Sequence, residues 1–593
     1  MSINHWPDTT RVEHGDFTFD LARAAVRNVQ YKGVQMIDLL YTAIRPWDWS
    51  TLEPDEHSED VKITGDVCVI TIKDLFADSL DARTVITISN ANTFNVAYEL
   101  RGLAEYSVNR WGICFCLNSA DWMGSSIDSK DGQFRLPESI SPQRVVEGVT
   151  QGLFPAANEM HFVAPDNRSL KVNSTGKVLE AEDQRNWTDN TYKIYSGSLS
   201  EPRPYVASAG SIWSQSVIFE FDSPSKPVPD ASKIVVKEID SLPSIGVQFN
   251  TDSLLPVDTL DTAFVLLDID HIRINEESLT AQKINSVSAN GLIVEAALLS
   301  SNSGEKLHQD IAHLNKQIPA GSRILIQREG REIVEEKDLP QNKSLSSFIP
   351  GTDAYLVDLH RNKYNFGESV SYSMVPTLHS SDTETIFRTL QTQTESISFA
   401  QEFLAPQVLI SPITFSTRGN PETGHARDQR LNFANSEIAL RIRTIEGAAW
   451  TLGSIFALAS AGAYSGTWHE LFGKFGLIYS EDSAIKFSPT FHALSALGAH
   501  HAHQITIATS LDNSWVAFEN REAKKIVVAS LRPWALEITP KVLAGYKTMQ
   551  CLRASECEKA SQIMDWWSFA QTTPISADSP LTLTPFEIAI IQG

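Results

Sequence analysis

LDIDHIRINEESLTAQKINSVSANGLIVEAALL, Leu267 to Leu299, decides the fold. Two short apolar runs, LDIDHIRI (Leu267 to Ile274) and LIVEAALL (Leu292 to Leu299), stand on either side of a polar stretch of helical texture. That unit recurs. From about residue 234 eight strand-like runs alternate with helical ones: Ile245 to Phe249, the two above, Arg323 to Arg328, Ala354 to Leu359, Ser369 to Val375, Gln407 to Phe415 and Gly462 to Trp468. Between them lie amphipathic helices, one with Leu307, Ile311, Leu314 and Ile318 at helical spacing, another from about Asn435 to Ser460. Repeated β-then-α units in this number predict a (β/α)8 barrel over residues 234–500.

The flanks read differently. Val67 to Phe76, Thr84 to Asn90, Thr93 to Leu100 and Ser216 to Asp222 are short alternating runs separated by turn residues. They predict an N-terminal β-sandwich over residues 1–223. The Pro/Ser-rich DSPSKPVPDASK, Asp222 to Lys233, reads as a linker. After the helical SPTFHALSALGA, Ser488 to Ala499, β texture returns, which predicts a smaller C-terminal sandwich over residues 501–593. A chain of 593 residues is too long for one core.

The formal net charge of −23 argues against nucleic acid or an anionic membrane surface as partner. The first residues, MSINHWPDTTRVEHGDF, have no basic n-region and no apolar run, so neither a signal peptide nor a spanning segment is expected and the expected location is cytoplasmic. Five cysteines do not make a disulfide framework. Cys114 and Cys116 share a strand face and read as core thiols rather than a metal pair. His500, His501 and His503 resemble a metal cluster in composition only, so no metal or other cofactor is expected. The chain has no G-x-S-x-G elbow, P-loop or G-x-G-x-x-G turn, which disfavours serine-hydrolase and nucleotide chemistry.

In a barrel the active site lies at the C-terminal strand ends. The eighth run ends in Trp468, His469 and Glu470; a carboxylate beside Trp suits acid/base work, or it caps a helix. The sixth is followed by His379, with Asp382 three residues on to orient it; a His satisfied by a backbone carbonyl is the plainer reading. Arg273 can stabilise an oxyanion or serve a buried ion pair, and Glu295 on the next strand is its expected partner. Arg328 and Glu329 close the fourth strand; Asp353, Asp358, His360 and Arg361 belong to the fifth.

One further stretch is too polar for a core strand and too aromatic for a solvated loop: KVLEAEDQRNWTDNTYKIY, Lys177 to Tyr195. It resembles a signature of the D-apionate lactonase family, in which a nearly identical EDQRNWTD is followed by a Lys and a Tyr. RPWDWST (Arg45 to Thr51), PESISPQ (Pro137 to Gln143), GTDAYLVDLHRNK (Gly351 to Lys363), VPTLHSSD (Val375 to Asp382), ISPITF (Ile410 to Phe415) and TWHELFGKFGL (Thr467 to Leu477) also have family counterparts, in collinear order. The resemblance implies a sandwich–barrel–sandwich hydrolase that opens a five-membered sugar lactone, D-apionolactone, to the free acid. The family often carries Asn at the position of His360, which bears on substrate detail.

On this reading Glu470 or His379 activates water, Arg273 or a nearby amide steadies the oxyanion, and Glu295 or Glu329 protonates the departing oxygen. Arg328, Asp382, His360, Trp468 and His469 complete the expected binding rim. Arg185, Asn186, Trp187 and Lys193 either reach over the barrel mouth to stack on and bond the sugar, or form a polar network that fixes the sandwich on the barrel. The expected ligand is a small sugar lactone or carbohydrate. The alternative is a glycoside hydrolase using paired carboxylates on the same scaffold. A non-catalytic carbohydrate-binding protein would need an aromatic groove without acid/base groups, and this chain has several carboxylates at strand ends.

Overall fold

A computed structural model describes residues 6, 9–47, 49, 52–89, 92–224, 233–251, 255–328, 333–340, 346–361, 364–416, 436–498, 504–538, 545–576 and 579–593. The chain divides into two compact units, His5–Val228 and the remainder from Pro229. No helix among the described residues is long and apolar enough to cross a membrane.

The N-terminal unit is built from a seven-stranded and a nine-stranded sheet, both antiparallel through their ladders. Period-two alternation sets each strand's inner face. In Thr93–Gly102, Phe94, Val96, Tyr98 and Leu100 are buried while their neighbours are not. The inner faces share one aromatic core. Phe17 of one sheet lies 4.7 Å from Phe94 of the other, ring centre to ring centre, and Phe115 lies 5.1 Å from Phe219. Cys114 and Cys116 are buried free thiols, as read from the sequence.

In the second unit eight parallel strands form one sheet in the order Ser347–Pro350, Arg323–Arg328, Ile293–Ser300, His271–Asn275, Ser244–Gln248, Ser465–Phe472, Gln407–Ile413, Ser369–Met374. The two end strands of that order are themselves joined. Gly351 bridges Ser371 in parallel, Thr352 N–H donates to Ser371 O (3.0 Å) and Ser373 N–H to Ala354 O (2.8 Å). Ala354 to Leu359, expected as the fifth strand, is instead a bend and a helical turn, Leu356–His360; Ser347–Pro350 takes the strand's place. Helices Val257–Leu267, Ala281–Ala289, Gly304–Asn315, Thr383–Phe403 and Ile445–Ala461 alternate with the strands. The last starts at a Thr444 cap that accepts from Gly447 N–H and stops at Gly462, whose φ of 74° lies in the left-handed region open to glycine.

The C-terminal sheet has seven strands, and its first, Ile234–Ile239, precedes the barrel in sequence, pairing antiparallel with Ile505–Ser510. The first strand of the parallel sheet therefore begins only at Ser244. A two-stranded ribbon, Leu536–Ile538 with Leu581–Leu583, covers the core of Trp515, Ile526, Val528 and Ile591. The linker residues 225–232 and His500, His501 and His503 lie outside the described residues.

Beside an apolar layer of Ala297, Leu325, Ile349 and Leu409, the parallel sheet's interior holds a polar one. Glu295 Oε1 accepts from Ser411 Oγ (2.6 Å) and Thr467 Oγ1 (3.1 Å), while Oε2 lies 3.7 Å from Arg323 Nη1 and 3.8 Å from His271 Nε2. Burial alone would raise the Glu295 pKa, but His271, Arg323 and Ser411 outweigh it and hold it below the usual range. His271 is pushed down by burial, so the pair is a carboxylate beside a neutral imidazole. His271 reaches Thr467 Oγ1 (2.8 Å) across Gly246, where a Cβ would stand 2.2 Å from Nε2. Gly246→Ala should therefore cost about 1–3 kcal/mol, the scale of overpacking. An unchanged urea midpoint would show that the ring can step aside.

Candidate active site

Glu470 sits at the C-terminal end of the eighth strand through a local irregularity. Gly246 pairs with Thr467 and Gln248 with Glu470, so Trp468 and His469 together oppose one residue. His469 takes φ 53°, left-handed and costly for a non-glycine residue. Its ring is held by Thr451 Oγ1 (3.0 Å) and stacked on Phe415 at 5.1 Å. The extra residue puts Thr467 among the interior groups, sends the Trp468 indole N–H to Ser454 Oγ on the helix behind (3.0 Å), and turns Glu470 toward the first strand's loop. Trp468 and His469 thus face the helix layer, and burial pushes His469 down to about 3.

There the Glu470 carboxylate meets Asn250. Asn250 N–H donates to Oε1 (2.6 Å), its side-chain amide to Oε2 (3.3 Å), and Thr251 N–H donates as well. Desolvation pushes Glu470 up to about 7, prevailing over those donors and over the attraction of Lys283. Asn250 Oδ1 in turn accepts Asn275 N–H (2.7 Å) at the end of the second strand. The Asn275 amide makes only a long bond to Glu277 (3.4 Å), and its buried Oδ1 has no partner in the structure. Lys283 reaches back to Ser278 O (2.9 Å) with its ammonium 5.1 Å from the Phe249 ring centre.

Arg273 is fully buried and pairs with Asp353 (3.0 Å) and Gln248 Oε1 (3.1 Å). The expected Arg273–Glu295 partnership is thus replaced: Arg273 pairs with the fifth strand's loop, and Glu295 with Arg323 and His271. Arg328 stands half-buried at the end of the fourth strand; Glu329 lies outside the described residues. Asp382 caps the helix Thr383–Phe403, accepting from Thr385 N–H (3.0 Å), Thr385 Oγ1 (2.8 Å) and Ser380 Oγ (2.5 Å), and His379 is half-buried just before it. His360 packs on Phe399 of that helix, 5.3 Å between ring centres, with burial pushing it down to about 3. Sequence reading missed Asn250, Gln248 and Lys283; the first two stand at the end of the first strand, where the strand-end rule points.

In the N-terminal unit the EDQRNWTD segment folds on PESISPQ. Arg185, fully buried with Asp183 (2.8 Å), donates to the carbonyls of Pro137 (3.0 Å), Glu138 (3.2 Å) and Ser139 (3.0 Å). Asn186 donates to Ser141 O (2.8 Å), and Tyr192 O–H to Pro137 O. Trp187 is buried at the end of the same turn. Lys193 is buried 3.6 Å from Glu182.

A parallel α/β sheet with a desolvated carboxylate at its C-terminal strand ends defines a protein of the α/β-barrel class. The comparisons agree and go further. One family model, "D-apionate lactonase, N-terminal domain", matches residues 3–224, and a second, "D-apionate lactonase, TIM barrel domain", matches residues 346–502. The chain belongs to the D-apionate lactonase family. A D-apionate lactonase of Brucella anthropi is 23% identical over 229 residues, 37% of this chain and 36% of that protein, so the match spans about a third of the relative's length. Among solved structures, an arabinofuranosidase aligns over 60% of this chain and 99% of its own at 11% identity and a TM-score of 0.41. A GH30 endoxylanase from Clostridium papyrosolvens aligns over 61% and 100% at 9% identity and a TM-score of 0.37.

The raised Glu470 pKa has a sign that can be checked. Between about 4.3, the ordinary carboxylate value, and about 7, the native protein keeps a proton that the unfolded chain has lost. Native protein then binds more protons, so this group's contribution to stability falls as pH rises through that window. Glu470→Gln removes the titration. The melting temperature of the variant relative to wild type should climb between pH 5 and pH 8; a difference independent of pH in thermal denaturation would refute the assignment.

Proposed function

We propose that this protein hydrolyses a five-membered sugar-derived lactone, of the D-apionolactone type, to the aldonic acid, on a closed (β/α)8 barrel flanked by two β domains. The observation that carries the reading is Glu470, poised near neutrality on the amide donors of Asn250. A group with a pKa near the working pH serves as base in one step and acid in the next.

Ionised Glu470 takes a proton from water as the oxygen attacks the ring carbonyl. The tetrahedral oxyanion is steadied by the Asn275 amide, whose bond to Glu277 is long (3.4 Å), and by the nearby Lys283 charge. On collapse the ring carbon–oxygen bond breaks, and Glu470 returns its proton to the departing oxygen. The new acid ionises to solvent. Arg273 acts from below, fixing Gln248 and Asp353. Arg328 and His379 complete the rim in this reading.

Two-carboxylate glycoside hydrolysis asks for a second free acid. Asp353, on the fifth strand's loop, is already bound to Arg273 and is not that acid. Glu470→Gln should reduce turnover of D-apionolactone at least about a hundredfold, measured by proton release. The wild-type kcat/KM should rise with pH through a midpoint near 7, and the variant should lack that limb. Glycoside cleavage with lactones acting only as inhibitors would overturn the reaction; full activity of the variant would overturn the mechanism.

A further inference from the structure

The N-terminal unit holds a cavity of about 100 Å3 between the hairpin arm of Val145–Val146 and Val149–Thr150 and the strand Leu179–Asp183. Its wall includes Ser141, Thr150, Gly152, Glu182, Asn186 and Tyr195. Gly152 lets the arm approach closely, since a Cβ there would stand 2.6 Å from Glu180 Cγ. Asn186 is 3% exposed. Its amide nitrogen donates to Ser141 O (2.8 Å) and Asp183 O (2.9 Å), which fixes the orientation of the group. Its Oδ1, buried on the cavity wall, has no partner in the structure. An acceptor so placed costs free energy until a donor reaches it.

The second acceptor is Glu182, half-buried on the wall with its carboxylate 3.6 Å from Lys193 Nζ. The neighbouring Asp183 carboxylate is already committed to Arg185 and to Ser141 N–H. Arg144, the wall's cation, is solvent-exposed on the arm. A buried amide acceptor beside a half-buried carboxylate selects a ligand that offers several donors and brings no negative charge. The volume holds a molecule the size of a four-carbon polyol, well below an ordinary drug-sized pocket.

We infer that the cavity beside Asn186 and Glu182 in the N-terminal unit is a binding site for a small neutral polyol, a reduced or cyclic sugar. Hydroxyls donate to Asn186 Oδ1 and Glu182, and Ser141 and Thr150 line the remaining wall. The inference does not rest on the proposed reaction.

The test uses the full chain, with erythritol and the erythronate anion as probes in saturation-transfer NMR. Erythritol should bind wild type and Glu470→Gln equally, and erythronate more weakly. Glu182→Gln, which removes the charged acceptor, and Thr150→Trp, which fills the cavity while circular dichroism confirms the fold, should each weaken erythritol at least about tenfold, or 1.4 kcal/mol. If Glu182→Gln fails to fold, Thr150→Trp decides alone. Binding that survives Thr150→Trp, binding lost in Glu470→Gln, equal binding of erythronate, or no saturation transfer at all, which would leave the cavity to water, each overturns the site.

Discussion

The buried Glu295 carboxylate is the constraint on which the barrel unit depends. A fully enclosed anion is tolerable only with close partners, and this one draws them from the second, fourth, seventh and eighth strands: His271, Arg323, Ser411 and Thr467. The partners fix the register of those strands more tightly than apolar packing would, because a one-residue slip would strand the charge. They also dictate Gly246, which must leave room for His271 to cross. One layer up, Arg273, Asp353 and Gln248 repeat the device with opposite signs. The strand ends therefore rest on side chains that cannot easily rotate, the support a catalytic group needs.

Glu470 is the group that support serves. Its position follows from one extra residue in the eighth strand, and the left-handed His469 is what makes the extra residue fit. The cost of that backbone is met by the Thr451 hydrogen bond and the Phe415 stack, both supplied by neighbouring elements of the same sheet-and-helix layer. Local strain, a desolvated carboxylate and an orphan acceptor on Asn275 lie within one cluster of loops. Strain and unsatisfied polarity concentrated together are what lead us to propose this cluster as the working site.

Much of this was legible in the sequence, and the failures have physical causes. Seven of the eight parallel strands follow from apolar runs between helical stretches. Ala354 to Leu359 misled because Leu356, Val357 and Leu359 are all buried, and a continuous apolar run does not distinguish a strand from a buried helical turn. Ile234–Ile239 joins a sheet whose other strands lie after residue 500, a pairing no local pattern carries. Arg273 and Glu295 are true cross-strand neighbours, yet each is claimed by another group, because an interior lined by eight strands lets distant strands compete for a charge. Glu470 does stand at a strand end, as its sequence position suggests, but the bulge that reverses Trp468 and His469 leaves no mark in composition. Asn250 was missed because an Asn after a strand usually signals only a turn.

The proposed chemistry also accounts for why a carboxylate tuned to neutrality suits this reaction better than one that stays ionised. The substrate enters neutral and leaves as an anion. A permanently charged Glu470 would favour attack but could not return a proton to the departing ring oxygen. A permanently neutral one could not activate water. With its pKa near 7 the group spends comparable time in both forms, and in the proposed reaction the product acid ionises beside a Glu470 that has already given up its proton, so two like charges stand side by side. In the proposed reaction that repulsion favours departure of the acid. The desolvation that sets the Glu470 pKa therefore serves each stage in turn, from water activation through ring opening to product release.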